Sequence, residues 1–146
     1  MEILINLQQE IPGVSEQKIR RKMAKVLDAL DCHDKELSIL VTSDDEIARL
    51  NMKYLGRRGP TNVIAFPMSP TSEKEPESPL LGDIVISVDT ASRETRDTGE
   101  TLLEAVGRLL IHGLLHLLGY EHEQNQQRAK EMQRQENRLI KIFKEA

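Results

Sequence analysis

The sequence has one cysteine, no tryptophan, two tyrosines and two phenylalanines in 146 residues. A lone Cys32 excludes a disulfide framework and a cysteine-built zinc site, and it suits a reducing compartment, the cytoplasm. No apolar run of signal-peptide length stands at the N-terminus, and no stretch is long enough to span a bilayer, so no membrane role is expected. Four aromatic rings supply few platforms for stacking unpaired bases, so contact with nucleic acid would rest on phosphates and be salt-sensitive. An excess of positive charge is also missing. Lys and Arg total 20 against 24 for Asp and Glu, a net charge of −4, which excludes a strongly basic binder on totals alone. The local basic groups, Arg20-Arg21-Lys22 with Lys25, Arg57-Arg58, and the row Arg128, Lys130, Arg134, Arg138, Lys141 and Lys144, read as solvated helix faces.

What remains is an ordinary globular composition. Hydrophobic residues at 38% and charged residues at 30% exclude wholesale disorder, and the length suits one domain over 1–146 whose core needs no staples. Ile3, Ile5 and Leu7 alternate as in a strand over 2–7; Pro12-Gly13 breaks it, and Ser15 caps a helix over about 16–31 through Ile19, Met23, Val26, Leu27 and Leu30. A second strand is expected over 36–42. Ser43 with Glu46 opens a helix carrying Ile47, Leu50 and Tyr54, and a third strand follows over 61–66. The proline-bearing stretch 67–81 reads as a loop, and 83–88 as a fourth strand. Asp89 is expected to cap a short helix ending near Gly99. Thr101 with Glu104 opens an apolar helix through Leu118, and a last amphipathic helix spans about 125–144. The sum is an α+β fold: a mixed sheet of about four strands packed against several helices, with a zinc site at the end of the long central helix.

Three of the four histidines lie together in His112-Gly-Leu-Leu-His116-Leu-Leu-Gly119-Tyr-Glu-His122. Residues four apart on a helix differ by about 40° in azimuth and about 6 Å along the axis, so His112 and His116 can address one ion. His122 would point away from a continuing helix. Gly119 permits the chain to turn back, because glycine adopts the left-handed conformation past a helix end at little cost. Three imidazoles with an open fourth position describe a catalytic Zn2+ site, although the same ligands accept nickel, copper or iron. Zinc proteases with a His-Glu-x-x-His helix share this spacing. Their general base is the Glu after the first histidine, and here that position is Gly113, which disfavours peptide hydrolysis by that route.

The motif HGLLHLLGYEH resembles that of the YbeY-type rRNA maturation endoribonucleases, small bacterial and organellar proteins. Asn51 and Tyr54, the block from Pro60 to Pro67, and Leu81-Gly82-Asp83-Ile84 are similar to that family's other blocks, in the same order. The resemblance implies a metal-dependent, single-strand-specific endoribonuclease of small-subunit rRNA processing and ribosome quality control, with rRNA and the small ribosomal subunit or its proteins as partners. The chain departs from the family in two places. The arginine commonly found after the tyrosine is Leu55 here, so Arg57 becomes the candidate for contacting substrate phosphate; the Asp before the last histidine is Glu121. Leu55 also keeps open an alternative, a ribosome-associated factor whose metal is structural and which does not cut. A hydrolase of peptides or small esters is a third reading. Asn51 and Tyr54 read as packing and loop-anchoring residues, Thr61 and Asn62 as turn or substrate-binding residues, and Asp83 as a strand-edge residue or the partner that orients a histidine.

Overall fold

The computed structural model describes residues 2–68, 80–120 and 125–146. Their elements run β1 (Glu2–Leu7), α1 (Glu16–Ala29), β2 (Glu36–Thr42), α2 (Asp44–Leu55), β3 (Val63–Pro67), β4 (Leu80–Ser87), α3 (Val88–Thr98), α4 (Leu102–Leu117) and α5 (Gln126–Glu145). The strands form one sheet in the order β1-β2-β4-β3. β1, β2 and β4 are parallel, and β3 lies antiparallel on the edge of β4, so the expected mixed four-stranded sheet is present.

Local chemistry fixes where the helices begin. Ser15 Oγ accepts from the Lys18 amide at 3.1 Å, and Ser43 Oγ accepts from Glu46 at 3.3 Å. Thr101 and Glu104 bond reciprocally at 3.1 and 2.9 Å, and the box satisfies donors that α4 would otherwise leave orphaned. The start of α3 differs from expectation. Its cap is Ser87, the last residue of β4, whose Oγ accepts from the Thr90 amide at 3.2 Å. Asp89 sits inside the first turn and instead accepts from the Asp44 amide at 2.9 Å. The strand runs into the helix without a turn, so the cap comes two residues earlier than a separate capping residue would. Of the proline-bearing stretch expected as a loop, Pro67 ends β3 and Leu80 and Leu81 open β4; positions 69–79 lie outside the described residues.

Strand parity divides the core. Ile3, Leu37, Ile39, Val41, Ile84 and Ile86 face one way, against the buried sides of α1, α4 and α5. Ile64 and Val85 face the other way, beneath Ile47 of α2. Two glycines let α4 approach its neighbours. A Cβ on Gly107 would stand 2.3 Å from the Phe143 ring of α5, and one on Gly113 would stand 3.0 Å from Ile84 Cγ2 of β4.

Lys22 corrects the expectation of a solvated basic face on α1. It is buried, and its ammonium donates to the carbonyls of Phe143 at 3.1 Å and Ala146 at 2.8 Å. The cation thus adds a donor at the end of α5, where the Phe143 carbonyl otherwise receives only a long bond from the Ala146 amide at 3.4 Å. Among the described residues no helix is long and apolar enough to cross a membrane.

Candidate metal centre

α4 buries Ala105, Val106, Leu109, Leu110, Ile111, Leu114 and Leu115, and this apolar side fixes its rotation against the sheet. His112 is thereby half-buried, and His116, one turn on, is exposed. Their Nε2 atoms stand 3.0 Å apart, with the rings nearly perpendicular at 78°. Beyond His116 the helix ends in a Schellman motif: the Gly119 amide donates to His116 at 3.0 Å and the Tyr120 amide to Leu115 at 2.9 Å, with Gly119 at φ +93°. The glycine turn anticipated from the sequence is therefore in place, while His122 lies outside the described residues.

The carboxylate beside the pair comes from α5. Glu136 Oε1 is 3.0 Å from His112 Nδ1, and the Glu136 side chain is only 13% exposed. Asp83, considered for such a role from the sequence, points away from His112 and His116 on α4. Its neighbour Ile84 faces Gly113 on α4, so by strand alternation Asp83 lies on the opposite face, where it lines a groove of ≈ 520 Å³ with Asn6, Ser38, Leu50, Tyr54 and Phe66. Tyr54 and Phe66, two of the four aromatic rings, meet there edge to face at 5.5 Å. The same position on α4 explains Gly113. A glutamate there, as in the zinc proteases, would be driven into Ile84 and Val63.

The remaining candidates separate cleanly. Arg57 is exposed on the loop after α2, and its amide donates to the Asn51 carbonyl at 3.3 Å. Asn51 is buried, and its amide nitrogen donates to the Gly59 carbonyl at 3.0 Å, so it anchors that loop as expected. Asn62 is structural: its side chain donates to Glu94 at 3.0 Å, and its carbonyl accepts from the Ser87 amide at 3.0 Å. Glu94 in turn accepts from Arg108, which also bonds Glu100. Burial works to raise the Glu100 carboxyl, but the bonds from Arg108 and Thr98 outweigh it and hold it below its ordinary value. Burial raises the Cys32 thiol, consistent with an inert packing residue.

The family model described as Endoribonuclease YbeY matches residues 4–144. The chain belongs to the YbeY endoribonuclease family. A relative named Endoribonuclease YbeY from Syntrophus aciditrophicus is 46% identical over 125 residues, covering 86% of this chain and 78% of the relative. Proteins of the same name from Aquifex aeolicus and Geobacter sulfurreducens are 40% and 35% identical, covering 91% and 98% of this chain and 87% and 96% of their own. The solution structure of TM1509 from Thermotoga maritima superimposes with a TM-score of 0.68 at 25% identity, over 97% of this chain and 88% of that one.

YbeY membership makes a resident metal the natural question for the histidine pair. Two ligand nitrogens at bonds of about 2.0–2.1 Å and a tetrahedral angle stand about 3.3 Å apart, close to the observed 3.0 Å between the Nε2 atoms. The two imidazoles therefore converge as a bidentate clamp would. Among the described residues no group of three or more His, Cys, Asp or Glu side chains gathers in a metal-holding arrangement, so the pair is the part of the site the geometry supports.

Proposed function

We propose that the chain is a single-strand-specific, zinc-dependent endoribonuclease of small-subunit rRNA maturation and ribosome quality control. The observation that carries this reading is the convergence of His112 Nε2 and His116 Nε2 at 3.0 Å, in a chain that belongs to the YbeY family. In this reading His112, His116 and His122 hold one Zn2+ ion and leave a position for water or substrate. Zinc supplies Lewis acidity toward the charge that develops on a phosphate oxygen. His116 is exposed near the C-terminal end of α4 and His112 is half-buried beside it, so a strand reaches the pair from the His116 side while the apolar side of the helix packs into the core. Arg57 is assigned to a substrate phosphate, through a charge-assisted contact that the apolar Leu55 cannot make.

rRNA is the substrate, the small subunit or its proteins the setting, and the cytoplasm the compartment. The expected alternative, a ribosome-associated factor that binds without cutting, has no support among the relatives cited, which all carry the name of an endonuclease. A peptidase is disfavoured by Gly113, which has no side chain to act as the base and is packed closely against Ile84. The test is cleavage of single-stranded and structured RNA by zinc-loaded protein beside a His116→Ala variant. Cleavage in the wild type and its loss in the variant are expected. Equal cleavage by both would assign the activity to a contaminant, and no cleavage by a zinc-loaded wild type would reject the nuclease reading.

A further inference from the structure

We propose that Glu136 is a positioning residue for His112: it fixes the imidazole in the tautomer that turns its Nε2 lone pair toward the metal position. The inference rests on the metal reading above. An ionised carboxylate only accepts hydrogen bonds, so the 3.0 Å contact places the proton on His112 Nδ1. A neutral ring protonated there carries its lone pair on Nε2, and Nε2 is the atom that faces His116 at 3.0 Å. The contact also holds the ring plane, because Nδ1 and Nε2 lie on opposite sides of the imidazole.

The location of Glu136 is what makes the role specific. Met132, Leu139 and Phe143 are the buried residues of α5, and Glu136 falls four residues after the first and three before the second, on the same stripe. An apolar side chain there would extend the packed surface. A carboxylate at 13% exposure instead bears a desolvation cost, and the imidazole N–H offsets it. Carboxylate–histidine–metal chains orient first ligands in this way, and loss of the outer partner typically weakens metal binding by about 10- to 100-fold.

The experiment measures zinc affinity by competition with a chromophoric chelator, and urea unfolding of the zinc-free proteins, for the wild type, Glu136→Leu and Glu136→Gln. Leucine should weaken zinc binding by about 10- to 100-fold while zinc-free stability is kept or raised. Glutamine, which retains a neutral acceptor, should recover part of that affinity. Should the leucine variant not fold, Glu136→Ala takes its place. Affinity equal to wild type in the leucine or alanine variant overturns the inference. A parallel fall in affinity and zinc-free stability in both variants, with no recovery by glutamine, also overturns it and assigns Glu136 to packing. A wild type that holds no zinc overturns the metal reading itself.

Discussion

The ring of Phe143 occupies the space that a single methyl on Gly107 would need, with Cε1 only 2.3 Å from the ideal Cβ position. α4 and α5 therefore pack at a separation that only glycine permits. Gly107→Ala should force the ring or the helix aside and cost about 1–3 kcal/mol of stability. Phe143→Leu in the same chain should recover part of the loss. Urea unfolding of the single and double variants checks both statements.

Gly113→Glu would restore the sequence pattern of the zinc proteases. Its side chain would be directed at Ile84 and Val63, so the expected result is a lowered melting temperature and no peptidase activity. Calorimetry with a generic peptidase assay decides it.

Asp44 accepts from Ser87 Oγ and Thr90 Oγ1, both at 2.6 Å, and from Arg93 at 2.9 Å. Burial works to raise its carboxyl, yet those bonds and the Arg93 charge hold it below the ordinary value. With a depressed folded-state value, its contribution is present above the unfolded range of about 3.9 and is lost as pH falls through the folded value. Asp44→Asn should be less stable than wild type at pH 7, and the gap should close as the pH falls below about 4. Chemical unfolding across that range reads the convergence.

Chelation should abolish RNA cleavage and leave far-ultraviolet circular dichroism nearly unchanged. The fold of α4 rests on its buried leucines and isoleucines, and its exposed histidine end contributes little to that packing. Loss of secondary structure on chelation would mark a structural metal.

Arg57→Ala should lower kcat/KM for RNA by about 10- to 100-fold, the size of one charge-assisted contact, with unfolding unchanged because the side chain is exposed. Unaltered cleavage would remove Arg57 from the substrate site.

The parts of the site written within one helix were legible. His112, His116 and Gly119 follow from the helical period and the chemistry of its end, and Ser15, Ser43, Thr101 and Glu104 announced their helices locally. Glu136 was not, because its contact spans 24 positions and depends on how α5 crosses α4. A signal did exist: an acid at helical spacing from Met132, Leu139 and Phe143 interrupts an apolar stripe. Asp83 is not the orienting partner of His112 or His116, for a reason also present in the sequence. Residues adjacent on a strand face opposite ways, so once Ile84 packs toward the helix, Asp83 cannot. Lys22 resembled its basic neighbours in sequence, and only the arrival of the α5 carbonyls distinguishes it.

The Lys22 ammonium has a further consequence as an anchor against sliding. α5 advances about 1.5 Å and turns about 100° with each residue, so slippage by one position would swing Glu136 off His112 altogether. Lys22 grips the carbonyls at one end of α5, and Phe143 is seated over Gly107 nearby. The register of a carboxylate beside a half-buried histidine is thus set by a buried amine on a different helix, 121 positions from the carbonyl it grips.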